Sequence, residues 1–217
     1  MKLKYVLPLL LIYLSTALIY FQSLNYYFFQ DDWYILNQLG VHNILYFFKP
    51  RTDLIYYRPL GMETFFFLGR LLFGLNPVGY HVTAFSIHLA NITLLFFLIL
   101  KTFKNKVSAI LGTLMYATAD FHYMTLSWLA LSWTLIGTFF IFSAINVYLQ
   151  YKQDHKLPQE IIIYTLFLFG LLSTEFAVIF PFFLIFYSYF FLGKNFPKFL
   201  KQKTDLFCFY FLRYFLI

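Results

Sequence analysis

The chain is short of charge, of acid and of cysteine. Only 12% of its 217 residues are charged, 9 of them acidic, and it contains one cysteine, Cys208. A soluble domain carries about 25% charged residues and roughly 45–50% apolar ones, so there is too little polar surface here to coat a water-soluble globule. A lone cysteine excludes a disulfide framework and a cysteine-rich metal centre. What fills the chain is 61% hydrophobic, with 25% aromatic and a mean hydropathy of +0.71, a composition unlike that of a disordered segment. The 16 Lys and Arg leave a formal charge of +7. In a chain this apolar, the placement of those charges matters more than their sum.

The apolar runs are long. A membrane helix needs about 20 mostly apolar residues. Tyr5 to Gln30, Val78 to Leu100 and Phe121 to Tyr151 carry no Asp, Glu, Lys or Arg. Two shorter runs, Val107 to Ala119 and Ile161 to Thr174, each stop at an acid, Phe176 to Gly193 is long enough to span, and another hydrophobic segment begins at Leu206. No small-x-small cleavage site follows the first run, so it is read as an uncleaved crossing.

Lysines fall after every second crossing: Lys2 and Lys4; Lys101, Lys104 and Lys106; Lys152 and Lys156; Lys194, Lys198, Lys201 and Lys203. By the positive-inside rule this side is cytoplasmic. The opposite side receives Lys49, Arg51, Arg58 and Arg70 with the acids Asp31, Asp32, Asp53, Glu63, Asp120 and Glu175. The positive charge is an orientation signal, and a nucleic-acid partner is dropped. The expectation is an all-α, polytopic protein of the cell membrane, a single transmembrane domain over 1–217. It has about six to seven transmembrane helices and a cytoplasmic N-terminus. A long extracytoplasmic first loop, about Ser23 to Asn76, carries interfacial helices after Asp32 and around Phe65 to Leu68.

Several polar groups on the outer side are candidates for chemistry. Asp31 and Asp32 are adjacent carboxylates; on spacing alone they read first as a helix cap plus a solvated loop charge, and otherwise as a pair able to raise one pKa and make a base. Arg58, between Tyr57 and Pro59, suits a lipid phosphate or a headgroup contact. His81 and His88 share a helix face, with Asn91 close to that stripe. They line a pocket or join helices by hydrogen bonds, and no third ligand at metal spacing accompanies them. Asp120 and Glu175 end the two short runs. If those helices start at the cytoplasmic surface, the acids sit in an outward recess; if the helices run a turn further, the acids reach the headgroups.

Taken together, these pieces resemble the GT-C superfamily of membrane glycosyltransferases. Phe29-Gln30-Asp31-Asp32-Trp33 and Tyr57-Arg58-Pro59-Leu60 resemble its first outer loop. Asn76-Pro77-Val78-Gly79-Tyr80-His81 with His88 and Asn91 resembles its "NPxxYH…H..N" crossing, and Ser173-Thr174-Glu175 leading to Pro181 its "SKE…P" segment. The signatures are closest to the branch of protein O-mannosyltransferases and related polyprenyl-phosphate-sugar enzymes. In the later outer loop His122 and Trp128 fit the pattern, whereas Asp120 replaces a proline and Met124 a glutamate.

The resemblance implies inverting transfer of a sugar from a polyprenyl-phosphate donor, dolichyl or undecaprenyl in type, to a glycan, lipid or protein acceptor on the extracytoplasmic face. In that scheme Asp31 and Asp32 are catalytic, Asp31 as base, with any divalent cation on one of the two. Arg58 holds the donor phosphate, and Tyr57, His81, His88, Asn91, Asp120, His122 and Glu175 line the pocket. Such enzymes have more crossings, so the chain is expected to be the N-terminal part of a longer one. A membrane transporter or flippase component and a non-catalytic membrane fragment are the alternatives.

Overall fold

A computed structural model describes residues 3–49, 56–154 and 157–192. Their regular structure is all helical, with no strand among the described residues. The long helices are α1 (Leu3–Tyr20), α5 (Pro77–Phe103), α8 (Ser132–Asp154), α9 (Leu157–Ser173) and α10 (Ile179–Leu192). The shorter ones are α2 (Asp31–Val41), α3 (Ile44–Phe47), α4 (Thr64–Phe73), α6 (Lys106–Ala117) and α7 (Phe121–Ser127). A π-helical turn over Pro59–Glu63 leads into α4, and 3-10 turns over Leu129–Leu131 and Glu175–Val178 precede α8 and α10.

Three helices are long and apolar enough to cross a membrane: Tyr5–Asn25, Pro77–Phe103 and Leu129–Gln150. Beside them lie three shorter apolar helices, Lys106–Ala117, Pro158–Ser173 and Glu175–Tyr187. The 12 residues of α6 reach about 18 Å at ~1.5 Å per residue, short of the ~30 Å hydrocarbon core. Along α1 the side chains of Leu7, Leu10, Leu11, Leu14 and Leu18 are all more than half exposed. An apolar stripe of that length calls for lipid or a neighbouring helix rather than water. The hydrophobic segment expected from Leu206, with Lys194, Lys198, Lys201 and Lys203, lies outside the described residues, as do Arg51 and Asp53.

Local chemistry accounts for the helix ends. Asn76 accepts from the Val78 N–H with Pro77 in the first turn, and Asn105 accepts from Val107 and Ser108. These are standard N-terminal caps for orphan amides. Lys104 takes a left-handed φ of 54°, so α5 turns into α6 within two residues. Packing then ties the long helices together. Asn91 donates to the Leu135 carbonyl, and Asn146 to the Leu94 carbonyl, joining α5 to α8. Gly137 meets Thr174 where α8 crosses the end of α9, so closely that a Cβ there would fall 2.1 Å from Cγ2 of Thr174.

One sequence expectation is corrected. The uncharged run Phe121 to Tyr151 reads as one crossing, but the chain breaks between α7 and α8, with Trp128 extended at φ −110° and ψ 102°. There is no proline or glycine at the break. Instead Oδ1 of Asp32 accepts from the Ala130 N–H at 2.6 Å, a tertiary bond in place of a helical one. The first run is also shorter than it reads, since α1 ends at Tyr20 and the chain is extended from Tyr26.

The short links α5–α6 and α8–α9 make neighbours antiparallel, and this gathers 21–49, 56–76, 118–131 and 174–178 at one end. Contacts between these segments hold that end together. The Tyr20 hydroxyl donates to the Ala119 carbonyl, Tyr26 bonds Tyr123 through their hydroxyls, and Phe28, Leu36, Phe66, Tyr80, Leu126 and Leu129 share one core. Because Gly137 leaves no room for a side chain, Gly137→Val is expected to cost about 1–3 kcal/mol by overpacking. Thermal unfolding followed by circular dichroism checks this; an unchanged midpoint would mean the α8–α9 crossing is loose.

Candidate functional site

The site is built around Arg58, which precedes the π-helical turn. That turn sits deep in the bundle because Gly61 allows it: a Cβ there would lie 2.5 Å from the Ser173 carbonyl and 2.9 Å from Cα of Trp133. The Ser132 hydroxyl donates to the Gly61 carbonyl and anchors the turn to α8. Arg58 is thereby only 8% exposed.

A guanidinium so placed needs compensation, because taking a charge out of water costs several kcal/mol. Glu175 supplies it: Nε of Arg58 donates to both carboxylate oxygens, at 3.1 and 3.0 Å. The guanidinium carbon also lies 3.6 Å from the ring centroid of Trp133 and 4.3 Å from that of Tyr56. Desolvated contacts of this kind contribute up to about 2 kcal/mol. The two terminal amino groups make no hydrogen bond to the described residues, so the fork that binds oxyanions is not used up by the protein.

Arg58 lines a cavity of about 410 Å³ with Asp31, Tyr34, Tyr56, Trp128 and Trp133. Asp31 is exposed in the first turn of α2, and its carboxylate makes no hydrogen bond to the described residues. One wall therefore holds a cation with donors to spare, and another holds a carboxylate able to accept a proton.

Asp32 does something else. It is fully buried, accepting from the Phe29 N–H at 2.9 Å and the Ala130 N–H at 2.6 Å. Burial pushes its pKa up to about 6. The backbone N–H groups of Phe29, Ala130 and Leu129 pull it down, and the Asp31 charge adds to the rise. It is a pin between the start of α2 and the break before α8, and it does not line the cavity. Among the described residues no group of three metal-binding side chains gathers. With Asp32 occupied by backbone, a divalent ion in this cavity has Asp31 and the oxygens of its own ligand to bind.

The other expected residues divide. His81, His88 and Asn91 share the buried face of α5, at 1% exposure or less. Nδ1 of His81 donates to the Leu126 carbonyl at 2.9 Å and Asn91 bonds Leu135, so both join helices. His88 packs against His122 with ring centroids 4.2 Å apart. The Tyr57 hydroxyl donates to the Phe48 carbonyl, and it is Tyr56 that lines the cavity. Asp120 is exposed at the start of α7 and takes no part in the cavity wall. Trp133 and Tyr56 are the residues that sequence reasoning missed, and nothing in their local pattern marks them out.

On the far side of the π-helical turn lies an apolar groove of about 510 Å³ between α4, α5 and α8, lined among others by Leu60, Thr64, Leu68, Ile87 and Phe139. Arg58 and Met62 line the cavity shared with Asp31, and Leu60 lines the groove. One turn of chain separates a site for charge from a site for hydrocarbon.

The two aspartates are expected to part company on substitution. Asp32→Asn presents an amide NH₂ to one of two backbone donors, and should cost about 1–3 kcal/mol, whereas Asp31→Asn should leave stability unchanged. The raised pKa means the folded state holds the Asp32 proton more tightly than the unfolded chain, whose ordinary value is 3.8. The stabilisation it gives is full below that value and is lost as pH rises through about 6. Thermal midpoints from pH 4 to 7 check this, and Asp32→Asn should remove this component of the slope. Compared with family models, curated proteins and solved structures, the chain matches none.

Proposed function

We propose that the chain is a membrane glycosyltransferase, which transfers a sugar from a polyprenyl-phosphate-linked donor to an acceptor hydroxyl. The observation that carries the reading is the shared cavity of Arg58 and Asp31. The three shorter helices are read as further crossings, giving six in the described chain. The end bearing Lys101, Lys104 and Lys106 is then cytoplasmic and the cavity extracytoplasmic.

The donor phosphate meets the terminal amino groups of Arg58, and the prenyl tail passes over the π-helical turn into the groove beside Leu60. The acceptor hydroxyl attacks the anomeric carbon as its proton passes to the Asp31 carboxylate. The bond from that carbon to the phosphate oxygen breaks through an oxocarbenium-like transition state. Polyprenyl phosphate leaves with its charge stabilised by Arg58. One displacement inverts the anomeric centre. Glu175 holds Arg58 by its Nε edge and so aims the other two donors.

Membranes supplied with labelled polyprenyl-phosphate sugar test this. Asp31→Asn should lower transfer by about 10²–10⁴-fold, the usual contribution of a general base. Arg58→Lys, which keeps the charge and loses the fork, should lower it by about 10²–10³-fold. Full transfer by Asp31→Asn rejects the base. No transfer by the wild type across a panel of donors rejects the enzyme reading in favour of a lipid-phosphate carrier.

A further inference from the structure

The Arg58 cavity holds one group of each sign that the described residues leave unsatisfied. Arg58 keeps its two terminal amino groups, because Glu175 takes only Nε. Asp31 keeps its whole carboxylate, because its neighbour Asp32 is the one that accepts from backbone N–H groups. Both line the same space of about 410 Å³, yet the ion pair of Arg58 runs to Glu175, so Arg58 and Asp31 face that space without closing on each other. The rest of the wall is largely aromatic. Arg58 lies over Trp133 and Tyr56, which leaves the rings of Tyr34 and Trp128 with no cation among the described residues. Tyr34 and Tyr56 are each more than half exposed, so the mouth of the cavity is open. Across the π-helical turn, the apolar groove beside Leu60 carries the exposed Leu68, Leu72 and Phe73.

The two charges select among ligands. Hydrocarbon or a neutral alcohol filling this space would strip water from both and compensate neither. A simple anion satisfies Arg58 but brings its charge beside Asp31, and a simple amine does the reverse. A zwitterion with a phosphate and an ammonium a few bonds apart answers both. The ammonium also gains from the free rings, since a cation is drawn to an aromatic face. A primary ammonium carries three N–H donors for the Asp31 carboxylate, whereas a quaternary ammonium has none to give. The adjoining groove then fixes the source of the headgroup, because a soluble zwitterion has no use for it and an acyl chain does.

We infer that this cavity binds the headgroup of phosphatidylethanolamine, with its phosphate on Arg58, its ammonium on Asp31 beside Tyr34 and Trp128, and an acyl chain in the groove beside Leu60. The inference goes beyond sugar transfer and does not rest on it. A bilayer lipid held in this way competes with any other phosphate ligand for Arg58.

Native mass spectrometry of the full chain tests it, in a detergent free of phosphate and amine, with one phospholipid added at a time. The wild type should hold phosphatidylethanolamine about tenfold or more tightly than phosphatidylglycerol, which has the phosphate without the cation. It should also prefer phosphatidylethanolamine to phosphatidylcholine. Asp31→Asn should erase the preference over phosphatidylglycerol, and Arg58→Gln should weaken both lipids, at unchanged helix content by circular dichroism. Glycerophosphoethanolamine, the same headgroup without acyl chains, should bind more weakly than the lipid. Equal binding of phosphatidylethanolamine and phosphatidylglycerol by the wild type overturns the inference, as does a preference that survives Asp31→Asn. Phosphatidylcholine held as tightly would give the selection to the rings and overturn the ethanolamine assignment. Glycerophosphoethanolamine bound as well as the lipid would overturn the groove's part. No sugar donor enters the measurement, so a failure of the transfer reading leaves its outcome standing.

Discussion

The end of this bundle is organised by one buried cation. Arg58 reaches the interior only because Gly61 lets its turn approach the backbone at Ser173 and Trp133, and its charge is compensated there by Glu175, 117 residues away in sequence, which meets its Nε. Without Glu175 the guanidinium would face several kcal/mol of desolvation, relieved only by the Trp133 and Tyr56 rings. The pair fixes the first loop, the start of α8 and the end of α9 against one another. Asp32 makes a second tie between α2 and the α7–α8 break. The cavity is the space left between these two ties.

That arrangement separates two kinds of solvation across a single helical turn. Arg58 and Met62 look one way, towards Asp31 and the tryptophans; Leu60 looks the other, into an apolar groove. A molecule with a charged head and a long apolar tail is the natural occupant of such a pair of spaces. The proposed transfer reaction uses both, and needs only that Asp31 remain free while Asp32 is held.

Much of the framework was legible in the sequence because it depends on local pattern. The uncharged runs mark α1, α5 and α8. Asp31 and Asp32 begin α2 as helix-favouring acids, and the spacing of His81, His88 and Asn91 places them on one buried face. What the sequence hid was tertiary. No local signal says that one aspartate of an adjacent pair would be buried and the other free. None says that Asp32 would break the run from Phe121 by taking the Ala130 N–H, or that Glu175 would find Arg58. The roles of Trp133 and Tyr56 follow from that last contact and were illegible for the same reason. The crossing count, the sidedness and the resemblance to GT-C enzymes are readings of sequence pattern alone.

The most direct test asks whether Arg58 is a receptor for a lipid-borne oxyanion. The phosphorus NMR signal of farnesyl phosphate, titrated with the protein in nanodiscs, should shift and broaden with the wild type. It should stay close to that of empty nanodiscs with Arg58→Gln, while farnesol fails to compete. A signal that responds equally to both proteins, or to neither, would contradict the account.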